Sequence, residues 1–155
     1  MKKLEDHLAE IKTDMVAVCL EYADNQAEEI FIYGSYEPNM YAFDVFYKIN
    51  GQFVHRDQLN NAVQQSGLQK HEYDVSDTRQ LAILKIGREN LKAIRKKCEE
   101  YNREMPTEIK LYYDVKKNQL KGQSKYELMY SHNDELLPSD IFDAWFEEVK
   151  NQETE

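Results

Sequence analysis

The chain has 155 residues, 41% of them hydrophobic, and a net charge of −9 at pH 7. This length fits one domain, and the apolar and aromatic content excludes a disordered chain. The negative charge repels phosphate backbones and anionic lipid heads, so it argues against direct binding to nucleic acid or to a membrane. We expect one domain over residues 1–150 and a frayed tail at residues 151–155.

No apolar run reaches the length of about 20 residues that a transmembrane helix requires. Acidic residues interrupt the start of the chain, where a signal peptide would be apolar. These features predict a cytoplasmic protein. Cys19 and Cys98 each fall on the apolar side of a predicted helix, which is typical of buried free thiols in such a protein.

The first half of the chain predicts one helix and then three strands. Apolar residues recur every three or four positions, which predicts a helix over residues 3–24. Runs rich in Ile, Phe, Val and Tyr predict strands at residues 29–33 and 40–49, joined by a loop at residues 34–39. Asn50 and Gly51 both favour positive φ, so they predict a hairpin turn and a third strand at residues 52–55.

The second half predicts two more strands between two helices. Residues 57–74 are polar and predict a loop with a short helix near residues 59–65. Ser76 is a good N-cap for a long helix that Pro106 would end. Alternating patterns at residues 107–115 and 123–130 predict a second hairpin, and a last helix begins near Pro138. The order α-β-β-β-α-β-β-α predicts an α+β fold, an antiparallel sheet of about five strands with helices packed on it.

Motifs that would carry catalysis are weak. The four histidines lack zinc-ligand spacing, and the five glycines stand apart instead of forming a phosphate loop. Glu108 and Lys110 match the acid-x-lysine element of metal-dependent nucleases, but alternating charge on an exposed strand gives the same letters. We expect no catalytic residue, no cofactor and no bound metal.

Charge and tyrosine content indicate a protein-binding role. Residues 1–30 carry eight acids against three lysines, and residues 131–155 carry eight acids against one lysine, whereas residues 76–105 carry eight basic groups against five acids. Trp145 is predicted to pack on the sheet while the acids of the last helix face outward. Eleven tyrosines suit interfaces as well as the rims of cores.

These features predict one partner-binding surface. The hypothesis requires the carboxylates of the two chain ends to lie on one side of the molecule, where a basic partner could dock. The predicted surface consists of Asp134, Glu135, Asp140, Asp143, Glu147, Tyr36 and Tyr112.

Several stretches resemble the YezG-like family of bacterial immunity proteins. They are the N-terminal amphipathic helix, EEIFIYGSYEPNMYAFDVFYKING, PTEIKLYYDVKKNQLKGQSKYELMY and DELLPSDIFDAWFEEVK. The resemblance implies a small cytoplasmic α+β protein that binds and silences a toxin, often a nuclease, and it assigns no site residue. An acidic inhibitor would complement the basic groove of a nuclease. The alternative is a homodimeric structural or adaptor module that uses the same apolar and tyrosine surface for self-association.

Overall fold

The fold is built on a five-stranded antiparallel sheet. The computed structural model describes residues 2–38, 40–66 and 71–153. The strands are β1 (Glu29–Glu37), β2 (Met40–Ile49), β3 (Gln52–His55), β4 (Glu108–Asp114) and β5 (Gln119–Lys125). The helices are α1 (Leu4–Tyr22), α2 (Leu59–Ser66), α3 (Asp77–Glu100) and α4 (Pro138–Glu153), with a 3-10 turn at Arg56–Gln58. The α+β class and the predicted order of elements are confirmed, with α2 as the short helix.

Strand β1 lies in the middle of the sheet, whose order is β3-β2-β1-β4-β5. Ile32 pairs with Val45 on one side and with Leu111 on the other, so the three strands share one register. Because side chains alternate along a strand, Ile30 and Ile32 point to one face and Phe31 and Tyr33 to the other. All four are buried, so both faces of β1 are covered.

Helices cover the two faces of the sheet separately. Helices α1 and α3 pack on the face of Ile30 and Ile32, through residues such as Met15 and Leu91. Helix α4 packs on the opposite face, where Phe142 and Phe146 join Phe31, Tyr33 and Phe46. The ring of Trp145 lies 5.9 Å from that of Phe31 and 5.1 Å from that of Phe46, between centroids, which confirms its predicted packing on the sheet.

Two strands differ from their predicted positions. Strand β1 continues to Glu37, so most of the loop predicted at residues 34–39 is strand, and Asn39 lies outside the described residues. Strand β5 begins at Gln119 and ends at Lys125, four or five residues before the predicted strand. Asn118, at φ 51°, closes the turn that fixes this register. The alternation at residues 126–130 therefore belongs to a loop.

The ends of the helices are set by local contacts. Ser76 accepts a hydrogen bond from the N–H of Arg79 at 3.4 Å, which confirms it as the N-cap of α3. Helix α3 ends at Glu100 rather than at Pro106, because Asn102 adopts φ 54° and the N–H of Arg103 bonds the Cys98 carbonyl at 2.8 Å. Helix α4 includes residues 151–153 of the predicted tail, and residues 154 and 155 lie outside the described part.

Two further sequence expectations concern thiols and membranes. Cys19 and Cys98 are both buried and free. Among the described residues, no helix has the length and apolar character needed to cross a membrane.

Gly87 allows α3 to approach β2 closely. It is buried, and a Cβ at this position would overlap the ring of Phe43. We expect Gly87→Ala to lower the free energy of unfolding by about 1–3 kcal/mol through overpacking, even though alanine favours a helix by about 1 kcal/mol. Urea denaturation measures the change. The control Lys85→Ala, at an exposed position of the same helix, should stay within about 0.5 kcal/mol of the wild type.

Candidate interaction surface

The two tyrosines of the predicted surface lie on opposite faces of the sheet. Tyr36 lies on the α1–α3 face, where its ring centroid is 4.8 Å from that of Tyr41 and 4.8 Å from the Arg95 guanidinium. Tyr112 lies on the α4 face, and its hydroxyl donates a hydrogen bond to Glu29 Oε1 at 2.7 Å. Both side chains are half-buried. The structure therefore does not bring these two tyrosines together.

The carboxylates of α1 and those of α4 do not converge either. Helix α1 packs on one face of the sheet and α4 on the other. Near α1, basic groups approach the acids: Arg103 lies 3.6 Å from Glu5, and Arg79 lies 3.9 Å from Asp24. The expectation of a single negative side was therefore wrong, because a sheet that is buried on both faces separates the two acidic helices.

The acids of α4 differ in what they do. Asp140 accepts a hydrogen bond from the N–H of Leu137 at 2.9 Å, so it caps the start of the helix. Asp143 and Glu147 are exposed on the side away from the sheet, and neither has an ion pair among the described residues. These two carboxylates are free to meet a partner, whereas Asp140 also has a structural task.

Residues 126–137 connect β5 to α4, and we call them the connecting loop. Glu37, at the end of β1, binds this loop through its carboxylate. Glu37 Oε2 accepts the N–H of Met129 at 2.8 Å, and Oε1 accepts the N–H of Ser131 at 2.8 Å and its hydroxyl at 2.5 Å. The N–H of Tyr130 lies 3.2 Å from Oε2. The loop is therefore fixed by its backbone N–H groups and by the Ser131 hydroxyl, and its apolar outer side chains take no part in these contacts.

The environment of Glu37 favours the charged carboxylate. The side chain is 1% exposed, and burial alone would raise its pKa. The hydrogen bonds from Ser131, Met129 and Tyr130 outweigh burial and hold the pKa below its ordinary value of 4.5. The charge that fixes the connecting loop is thus present at neutral pH.

Two further contacts fix the same loop. The hydroxyl groups of Ser35 and Tyr130 lie 3.1 Å apart in the interior. The hydroxyl of Thr107 lies 3.1 Å from the Lys125 carbonyl and 2.5 Å from the Glu127 carbonyl, so it joins the start of β4 to the end of β5 and the loop that follows. The loop is therefore fixed near its start and in its middle.

The connecting loop exposes apolar side chains beside acidic ones. Tyr126 is 51% exposed, Leu128 47% and Leu137 58%, three of the seven large apolar side chains that are exposed in the described part of the chain. Asp134 and Glu135 are exposed in the same loop. Exposed apolar groups on a fixed backbone are typical of interaction sites. The C-terminal surface comprises Tyr126, Leu128, Asp134, Glu135, Leu137, Asp143 and Glu147.

Sequence reasoning missed the role of Glu37 because it placed this residue in a loop. The available signal was the period of two in residues 31–37, which puts Glu37 on the same face as Phe31, Tyr33 and Ser35. Tyr126 and Leu128 were assigned to a strand and so to its buried pattern. Both errors arise from the misplaced ends of β1 and β5.

Glu108 and Lys110 occupy a structural position on the α4 face. Glu108 is 2% exposed, and its Oε1 lies 3.4 Å from Lys110 Nζ. Lys110 Nζ also lies 5.1 Å from the centroid of the Trp145 ring. Where the chain is described, no three His, Cys, Asp or Glu side chains lie together in a way that could hold a metal ion. The pair therefore lies in an interior contact rather than on an exposed strand face.

Comparison with known proteins adds no assignment. No family model matches this chain, and no match was found among curated proteins.

We expect Glu37→Gln to lower the free energy of unfolding by about 2–4 kcal/mol at pH 7, because a neutral amide cannot accept all the hydrogen bonds of the carboxylate. Since the folded pKa is lowered, this contribution is present above pH 4.5 and is lost as the pH falls through the folded value. Denaturant unfolding from pH 7 to pH 3 should show the two proteins converging at low pH. The control Glu127→Gln, exposed in the same loop, should unfold like the wild type; equal stability of Glu37→Gln at pH 7 would refute the role of Glu37.

Proposed function

We propose that this protein is a cytoplasmic, non-catalytic immunity protein that binds a toxin domain with a basic surface, which includes nuclease toxins. The observation that supports it most is the set of hydrogen bonds between Glu37 and the connecting loop. These bonds fix a loop whose outer side chains are apolar and acidic and have no part in the core. The resemblance to YezG-like immunity proteins points to the same role.

The composition of the C-terminal surface suits a partner with a basic groove. Tyr126, Leu128 and Leu137 would be the apolar anchors that lose water on binding, which usually contribute most of the binding free energy. Asp143 and Glu147 would attract a cationic partner and orient it. A loop that is already ordered loses little entropy when it binds, so a moderate contact area can still give tight binding.

This proposal uses a different set of residues from the surface that the sequence predicted. Asp134, Glu135, Asp143 and Glu147 remain in it, Asp140 supports it as a cap, and the connecting loop adds its apolar residues. Tyr36 and Tyr112 are left out, since they are half-buried and lie on opposite faces of the sheet.

A homodimeric adaptor is the second candidate function, and the α1–α3 side favours it. A groove of about 190 Å³ lies there, lined by Val18, Glu21, Arg79 and Ile86 among others. Helix α1 carries five acids and one lysine, whereas α3 carries seven basic residues and four acids. A two-fold axis could therefore place α1 of one copy against α3 of the other. Light scattering after gel filtration separates the candidates, since a monomer at micromolar concentration would exclude the adaptor.

The proposal is tested with the product of the gene next to this one. We expect that product to stop growth when expressed alone and to be silenced when this protein is co-expressed. Asp143→Lys combined with Glu147→Lys should weaken binding by at least about tenfold, with a larger effect at low salt, because it reverses the charge that faces the partner. Growth rescue and calorimetric titration measure the two effects.

The matched control reverses the same number of charges on α1. Asp14→Lys combined with Glu21→Lys changes two exposed acids on the other face of the sheet and should leave binding within about twofold of the wild type. If the neighbouring gene product did not stop growth, the proposed function would be contradicted. If both double variants lost the same amount of binding, the C-terminal surface would not be the binding site.

A further inference from the structure

The hairpin turn before β5 and the strand itself form a basic stretch in this acidic protein. Residues 116–125 carry four lysines, Lys116, Lys117, Lys121 and Lys125, and no acid. None of the four has an ion pair among the described residues, although other lysines do. A positive charge of four within ten residues, in a chain of net charge −9, favours an anionic ligand at this position.

Strand β5 is also an open edge of the sheet. It pairs with β4 over seven consecutive residue pairs, from Glu108↔Lys125 to Asp114↔Gln119, and ends the strand order. All seven of its residues are exposed. An edge strand has unpaired backbone N–H and C=O groups on its outer side, which can pair with another extended segment.

A cavity lies directly beside this edge on the α4 face. Its volume is about 210 Å³, and its lining includes Phe31, Tyr112, Lys121, Gly122 and Trp145. The core side chains of α4 pack on β1 and β2 and leave β5 uncovered. A space therefore remains between Trp145 and the edge strand. The aromatic walls and the nearby ammonium groups of Lys110 and Lys121 suit an apolar side chain that has acidic neighbours.

We propose that β5 is a docking edge for an extended acidic segment of a partner protein. The segment adds a sixth strand, its carboxylates meet the lysines of residues 116–125, and one apolar side chain enters the cavity beside Trp145. In this mode, backbone hydrogen bonds supply affinity and the side-chain pocket supplies selectivity.

Charge decides between this occupant and two others. A second copy that paired β5 with β5 would bring Lys121 and Lys125 of each strand against the same two lysines of the other, so edge-to-edge self-association is unfavourable. Nucleic acid would meet the lysines but also the net charge of −9 of the whole chain. An acidic extended segment gains from the lysines and from the edge together. It is also independent of the C-terminal surface, which would bind a basic partner.

The test uses a capped synthetic peptide in which glutamate alternates with valine around one central phenylalanine. The peptide contains no tryptophan, so the fluorescence of Trp145, the only tryptophan of the chain, reports on the cavity. We expect saturable binding to the full-length protein with a change in Trp145 emission. Lys121→Glu should weaken binding by at least about tenfold, and Lys85→Glu, exposed on α3, should leave it within about twofold.

Two further ligands separate strand addition from charge attraction. The same peptide with alternate backbone nitrogens methylated keeps its charge but cannot donate hydrogen bonds along the edge, and it should bind at least about tenfold more weakly. Equal binding of the methylated peptide, or no binding of either peptide, would overturn the proposal. The lysines would then serve only to prevent aggregation through the open edge of the sheet. Tighter binding of a poly-uridine oligonucleotide than of the peptide would overturn it in favour of nucleic acid.

Discussion

The burial of β1 on both faces is the constraint on which the rest of the structure depends. Ile30 and Ile32 face α1 and α3, and Phe31 and Tyr33 face α4. Complete burial of each such side chain contributes about 1.5–3 kcal/mol, so neither layer could be removed without a large loss of stability. The helices on the two faces of the sheet also present their outer residues on opposite sides of the molecule. Helices α1 and α4 must lie on opposite faces, so the acids of α1 and those of α4 lie apart.

The same strand explains why the connecting loop is ordered. Strand β1 continues beyond its apolar residues and ends with Ser35 and Glu37, which point to the α4 face with Phe31 and Tyr33. A buried carboxylate is unfavourable unless donors replace its water. The backbone N–H groups of residues 129–131 supply those donors. The same hydrogen bonds therefore stabilise the buried charge of Glu37 and hold the loop in place. A core strand in this way positions an exposed surface.

Sequence patterns predict the elements whose bounds depend on neighbouring residues. They fail where the bounds depend on pairing with a strand that is distant in the chain. Met40–Ile49 and Gln52–His55 were predicted at their observed bounds, because alternation and the Asn50–Gly51 turn act over a few residues. Strand β5 was misplaced because an edge strand exposed on both faces has no apolar pattern, and its register comes from β4 and the turn at Asn118. The acids of α4 were recognisable by helical spacing. Their separation from α1 was not, since it depends on which face each helix covers.

The connecting loop lies between two regions of opposite charge. It begins after Lys125, the last residue of the lysine-bearing strand, and ends at Pro138, where the acidic helix α4 starts. Net charge therefore describes this molecule poorly, because a chain of net charge −9 contains both a basic edge and an acidic helix, which a short loop joins. Only a partner with both signs of charge in the matching order could satisfy both regions at once, and a uniformly basic protein would be repelled by the edge. Selectivity for a partner would then arise from the arrangement of charge, which the two-sided burial of β1 fixes.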